Sequence, residues 1–319
     1  MDTPFEAFLK QHDSRAWAAV RTSLSSSIHE VDRNAVEIWL HFFPLPLADA
    51  FARSENPAQL TQDLRLDGNW RLADQHDVSH WFLYGHRYWP RVKAAIISRA
   101  ESKASPSALQ LGTIIHDVAR EVASAERADE SLVLGIAAAG LMTLQQIGLA
   151  AFRQNAKIDA VPEAFAQRAP ARILAARKKD DSQGLMGMFR GLKARYTVTF
   201  DERRDTGRFP LILQQHLTTA SANDTRQYTS GARRCHEGPI PVQCRTASCG
   251  TCWVGVLAGA EKLSDVDEME ARRMKEFGYI NTAETKPVIR LACMALGSGN
   301  VSIVIPPWNG FIGKAALGT

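Results

Sequence analysis

The sequence predicts a two-domain protein, an all-α N-terminal domain followed by an α+β C-terminal domain. Three observations carry this expectation. The chain of 319 residues has room for two domains of ordinary size. Apolar residues, 45% of the total, recur with a helical period through roughly the first 180 positions. Beyond them the period shortens to two, as in Tyr196-Thr197-Val198-Thr199-Phe200.

Taken in order, a helix is expected from about 31 to 43, stopped by Pro44 and Pro46. Another covers about 79–101, with Pro90 inside it as a kink. Segment 105–127 has Ser105 as cap, Pro106 at the first helical position, and one stripe of Leu111, Ile114, Ile115, Val118 and Val122. Helical pattern resumes over 129–153 and 161–178. Arg177-Lys178-Lys179-Asp180-Asp181-Ser182-Gln183-Gly184 then reads as an exposed charged linker, with Gly187 and Gly191 close behind. The boundary is therefore placed near residue 190, giving domains 1–190 and 191–319. In the second domain, strands are expected at Tyr196–Phe200, Trp253–Leu257, Val288–Leu291 and Val301–Ile305. A helix from Leu263 to Phe277 would open at Ser264, with acids early and Arg272, Arg273 and Lys275 late, as a helix dipole favours.

The balance of 38 basic against 34 acidic residues, net +4, gives no ground for a nucleic-acid partner. The opening MDTPFEAFLKQHD has no basic stretch followed by an apolar one, so no export signal and a cytoplasmic location are expected. Ser131–Phe152 carries no charge and is long enough to span a bilayer. Gln145 and Gln146 within it, and the lack of flanking Trp or Tyr, favour a central buried helix, with membrane association as the second choice.

The chain has five cysteines, four of them in its last 76 residues. Cys244-Arg245-Thr246-Ala247-Ser248-Cys249-Gly250-Thr251-Cys252 has the spacing C-x4-C-x2-C, and Cys293 follows the strand Val288-Ile289-Arg290-Leu291. Three thiolates on one loop and a fourth from a distant strand suit an iron–sulfur cluster with four cysteine ligands. Small residues between the ligands let main-chain N–H groups approach the sulfurs. A zinc site would more often use two C-x2-C pairs, and only Cys249 and Cys252 make one. Cys235 lies outside the set and reads as a small buried hydrophobe.

Residues from about 194 to 319 resemble the plant-type 2Fe–2S ferredoxin domain. The likeness runs from Cys244 to Cys252 through the next strand and Gly259, then Glu261-Lys262-Leu263-Ser264 and an acidic helix. It ends in Arg290-Leu291-Ala292-Cys293 and a last strand closing at Pro306. The resemblance implies a β-grasp fold, a low-potential 2Fe–2S cluster and a surface that docks redox partners. It implies that Cys244 and Cys249 hold one iron, and Cys252 and Cys293 the other. Three departures stand out. The interval from Cys252 to Cys293 is long, with the excess expected in Gly278–Pro287, and a glycine is usual where Ala247 stands. From Arg195 onward there are 15 basic and 12 acidic residues, net +3, where plant-type carriers are strongly acidic.

The helical domain offers one cluster. Five of the 25 aromatic residues fall between Trp81 and Trp89, beside His76, His80 and His86. In a helix His76 and His80 would share a face open to a metal or haem, with His86 on another face. An aromatic-packed core with satisfied histidines at its margin accounts for the same residues, and His116 is expected in the core. No covalent-haem, phosphate-loop or dinucleotide motif is present. The expectation is an electron-transfer protein whose helical domain docks the cluster domain to redox partners, a reductase and/or oxidase. The alternative is a redox enzyme subunit or sensor whose helical domain holds haem or another ligand.

Overall fold

The computed structural model describes residues 2–42, 54–56, 72–102, 110–154, 163–179, 195–226, 228–230, 233–235, 237–242, 244–276 and 286–305. They divide into two units, one drawn from residues 1–45 and 71–160 and the other from 46–70 and 161–319.

The first unit is helical: α1 Pro4–Lys10, α2 Ser14–Leu24, α3 Glu30–Phe42, α4 Leu72–Gln75, a 3-10 turn Tyr84–Tyr88, α5 Trp89–Glu101, α6 Leu111–Glu126 and α7 Ser131–Phe152. The axis of the unit is α7, which packs against α1, α3, α4, the 3-10 turn, α5 and α6. It is long and apolar enough to cross a membrane, and here every residue from Val133 to Leu144 is buried among the other helices. Its small residues permit that closeness. A Cβ on Gly140 would lie 2.6 Å from Ile96 Cδ1 and 3.1 Å from the Trp89 ring. Gln145 is satisfied at both ends, accepting from Trp17 Nε1 at 2.6 Å and donating to the His12 carbonyl at 2.8 Å. At Gly148 (φ 74°) the helix breaks, and the freed Leu149 N–H donates to buried Glu6 at 2.8 Å. The same Glu6 completes a capping box with Thr3 on α1.

Several expected boundaries move. Pro90 opens α5 instead of kinking it, because a residue without an N–H fits where none is needed. Residues 76–83 are therefore turns, not helix. Helix α6 begins at Leu111 after extended Gln110, with Ser105 and Pro106 outside the described residues, yet its five stripe residues are all buried. Each such side chain contributes about 1.5–3 kcal/mol of burial.

The second unit holds α8 Glu163–Ala166, α9 Pro170–Lys178, β1 Arg195–Thr199, β2 Arg208–Ile212, β3 Gln215–His216, α10 Leu217–Ala222, β4 Tyr228–Ser230, β5 Arg233–Cys235, β6 Trp253–Ala258, α11 Glu268–Glu276, β7 Ile289–Leu291, β8 Leu296–Gly297 and β9 Val301–Val304. The expected 161–178 helix is split because Pro170 starts a new one. The main sheet is mixed, in the order β2-β1-β9-β6-β7, with β1 and β9 parallel and the other neighbours antiparallel. Pro210 sits in β2, an edge strand, where its missing N–H costs no ladder bond. Strands β6, β7 and β9 are buried almost throughout and form the core.

Two further expectations change. Arg177, expected in an exposed linker, is 7% exposed and grips Glu202 with two hydrogen bonds of 2.8 and 3.0 Å. Residues 180–194 of that linker lie outside the described residues. Helix α11 starts at Glu268 because Asp267 caps it, accepting from Glu270 N–H at 2.7 Å. Ser264 instead accepts from Leu296 N–H at 3.2 Å, and most of Gly278–Pro287 lies outside the described residues.

Candidate metal centre

Strand register brings the distant cysteine to the loop. Trp253 of β6 pairs with Leu291 of β7, so Cys252, one residue before, meets Ala292, one residue after. Ala292 N–H donates to the Cys252 carbonyl at 3.0 Å, which leaves Cys293 beside Cys252. The thiols of Cys252 and Cys293 hydrogen-bond each other. Both residues are buried, at 3% and 4% exposure, while Cys244 and Cys249 are half-buried.

The loop itself is coiled. Arg245, Ala247 and Gly250 have φ of 55°, 60° and 67°. The left-handed backbone at Ala247 explains why glycine is the easier residue there; alanine accepts it at a cost of roughly 1–2 kcal/mol. This winding turns main-chain donors inward. Cys244 Sγ accepts from the N–H of Thr246 at 3.5 Å and of Cys249 at 3.3 Å. Cys249 Sγ accepts from the N–H and the hydroxyl of Thr251, at 3.4 and 3.0 Å. The N–H of Ala247 is directed at Cys293.

The thiols fall into two pairs of unequal acidity. Burial works against a Cys244 thiolate, but hydrogen bonds from Ser248, Thr246 and Cys249 lower its pKa to about 6. Burial raises Cys249. The bond to Cys293, with burial behind it, pushes Cys252 well up, and the same bond lowers Cys293. In each pair the bond between the two sulfurs favours the charged form of one and the neutral form of the other. Among the described residues no three His, Cys, Asp or Glu side chains converge on one metal position. Two pairs of sulfurs, one pair under inward amides of a single loop and the other joined by the β6–β7 register, suit a two-iron group. The donors present therefore fit a 2Fe–2S cluster.

A buried ion pair holds this end of β7. Glu270 of α11 accepts from Arg290 Nε and Nη2 at 2.8 and 2.9 Å and from Leu291 N–H at 2.8 Å. Arg290 also donates to the Ser264 carbonyl at 2.8 Å. At 0% and 1% side-chain exposure the two charges hold the strand that ends in Cys293. Sequence inspection missed this role, although an arginine amid an otherwise apolar strand was the available signal. Cys235 lies in β5, opposite Tyr228, and its side chain lies outside the described residues.

The histidine segment of the first unit is also brought together, but differently from expectation. Because residues 76–83 turn, His80 and His86 meet, with Nδ1 atoms 2.9 Å apart. His76 directs its ring nitrogens at the carbonyls of Ala73 and Gln154, at 2.9 and 2.8 Å. Lys93 lies 3.2 Å from His76 and pairs with Asp77 at 2.8 Å, and Asp77 also accepts from Trp89 Nε1 at 2.8 Å. These groups are inside the core, not at its margin. His80 Nε2 has no hydrogen-bond partner, and its ring lies 4.1 Å from that of Trp89. Of the five aromatics in this segment, Phe82, Tyr84 and Trp89 are buried, and Trp81 and Tyr88 are half-buried. His116, expected in the core, is one-third exposed and meets Glu130 at 2.7 Å.

Residues 212–296 match the family model of the 2Fe-2S iron-sulfur cluster binding domain. That family binds a 2Fe–2S cluster, and the positions of Cys244 to Cys293 are consistent with it. The N-terminal region matches no family model. No curated protein and no solved structure matches the chain.

Proposed function

We propose, from the cluster-binding and electron-transfer role that residues 212–296 indicate, that Cys244 and Cys249 hold one iron of the cluster and Cys252 and Cys293 the other. The protein carries single electrons between redox partner proteins. The observation that supports this most is the set of main-chain N–H groups of one loop turned onto the sulfurs of Cys244 and Cys249, with Cys293 brought beside Cys252 by the β6–β7 register. Parallel β1 and β9 at the middle of the sheet support a β-grasp layout for this part.

Bound there, the cluster supplies one-electron oxidation and reduction. The chain's own residues set the conditions. N–H groups of Thr246, Ala247, Cys249 and Thr251, with the Thr251 hydroxyl, favour negative charge on sulfur. Buried Cys252 and Cys293 keep water from the inner side, and half-buried Cys244 and Cys249 make the outer side the place of electron exchange.

The partners are a reductase and/or an oxidase met in the cytoplasm. With net charge +3 from Arg195 onward, this part lacks the acidic surface that steers a diffusing ferredoxin. Docking falls to the helical unit, which can offer a face of about 800 Å². Trp81 and Tyr88 are the rings of the Trp81–Trp89 segment still accessible for it. The testing experiment is anaerobic reduction followed by electron paramagnetic resonance. One unpaired electron per chain is expected, and a silent reduced protein contradicts the proposal.

A second reading, haem or another ligand in the helical unit, rests on the unpartnered His80 Nε2. The close packing of that ring on Trp89 weighs against it, and haem bands in the visible spectrum would decide for it.

A further inference from the structure

His80 and His86 of the helical unit are buried, at 0% and 7% exposure, with their Nδ1 atoms 2.9 Å apart. One hydrogen at most lies between two nitrogens at that distance, so one ring carries its proton on Nδ1 and the other on Nε2. His80 Nε2 has no hydrogen-bond partner, so a proton there would be a stranded buried donor. The pair therefore rests with His80 donating from Nδ1 to His86, whose own hydrogen is on Nε2. What remains at His80 Nε2 is a bare lone pair, the open proton site of the pair. Trp89 and Trp39 lie beside that ring, at 4.1 and 6.4 Å between centroids.

The charged groups packed around the pair have their own partners. Asp77, on the preceding turn, pairs with Lys93 of α5 and accepts from Trp89 Nε1. Asp32 of α3 accepts the N–H groups of Tyr84 and Gly85. Arg87 lies over the Tyr84 ring at 3.4 Å, and both ring nitrogens of His76 face carbonyls. Helix α7 carries no charge. A proton added at His80 Nε2 thus creates a cation and a stranded N–H in the core, and burial and the neighbouring His86 and His76 oppose it. The segment that carries the pair is able to leave. Residues 76–83 are turns and Tyr84–Tyr88 a 3-10 turn. The main-chain bonds of Ser79 to Gln75, Trp81 to Val78, Leu83 to His80 and His86 to Leu83 close within residues 75–86. Lifting 76–88 off α3 and α7 therefore breaks no helix of the unit.

We propose that the His80–His86 pair is an acid-released latch on the helical unit. Near neutral pH the shared hydrogen between the two Nδ1 atoms holds segment 76–88 shut. Below it, a proton taken up at His80 parts the rings and frees the segment, with Trp81 and the buried Phe82 and Leu83, while α3, α5, α6 and α7 stay packed.

The test is hydrogen–deuterium exchange of the full chain at about pH 7.5 and about pH 5.5, read by mass spectrometry and corrected for the intrinsic pH dependence of exchange. The freed segment binds a proton below the ordinary imidazole pKa of about 6.5 that the closed one refuses, so its protection should fall about tenfold between the two. Release of the segment alone leaves its protection well below that of Val133–Leu144 and insensitive to low urea, which lowers protection in α7. Equal protection of the two segments, or no change with pH in 76–88, overturns the proposal. His80→Gln keeps a donor for His86 without titrating, and His80→Phe keeps a ring against Trp89. Whichever folds should lose the tenfold response, and a response that persists in it overturns the assignment to this pair. If neither folds, the parent's exchange decides alone.

Discussion

Both units bury groups that water would otherwise solvate; the helical unit pairs them with each other, and the sheet unit, beside its own buried Arg290–Glu270 pair, gathers main-chain donors on four cysteine sulfurs. In the helical unit Lys93, Asp77 and His76 form a network closed by Trp89 and the Gln154 carbonyl. Asp32 accepts two main-chain N–H groups of the 3-10 turn, and Glu6 accepts one N–H at the start of α1 and one at the Gly148 break in α7. Apart from His80 Nε2, these polar atoms have protein partners. In the sheet unit the loop donors converge on the sulfurs of the four cysteines, two of them half-buried and two buried. A closed network stabilises and specifies a core. Donors gathered on four sulfurs favour negative charge there, which suits a metal–sulfur group.

The sharpest way to break this comparison is to replace the sulfurs. Serine at Cys244, Cys249, Cys252 or Cys293 should perturb the cluster's visible absorption, and at buried Cys252 or Cys293 abolish it, while Cys235→Ser leaves it intact. The helical content seen by circular dichroism should not change in any of them. Loss of absorption in the Cys235 variant would mean the ligand set is wrong.

The converse change removes one member of the closed network. Lys93→Met leaves Asp77 charged and without its cation in the core, a cost of about 3–5 kcal/mol. Denaturant unfolding followed by tryptophan fluorescence should show that loss, with the cluster spectrum of folded protein unaltered. A variant as stable as the parent would show that the network is not what holds the unit.

A smaller effect comes from pH. Burial, with His86 and His76 nearby, holds the His80 pKa well below its usual value. The unfolded chain then binds a proton that the folded one refuses. The stability from neutral His80 is complete above the unfolded pKa of about 6.5 and falls as pH drops below it, by up to about 1.4 kcal/mol per pH unit. Unfolding series between neutral and mildly acid pH should show that slope in the parent and a shallower one in His80→Phe.

The cysteine loop was readable because its ligands are set by spacing, and spacing survives any uncertainty about the backbone. The stripe of α6 and the strands β1, β6, β7 and β9 were readable for a similar reason, since periodicity reports burial. What sequence inspection missed depends on where a turn falls. Assuming helix across 79–89 sends His86 away from His80, whereas Pro90 as a first-turn residue ends that assumption and brings the rings together. Strands β3 and β8 have two residues each, too few for a period. Arg177 looked like linker because charge in sequence does not reveal a partner 25 residues away. Glu270 and Arg290, 20 residues apart, were hidden in the same way.

The central claim is that one cluster of two irons sits on the four paired cysteines. Iron and acid-labile sulfide, measured against protein on anaerobically purified full-length chain, test it most directly. Two irons and two sulfides per chain are predicted from the 2Fe–2S domain. One zinc per chain with no labile sulfide would contradict it, because four thiolates around a single ion leave no room for a second metal.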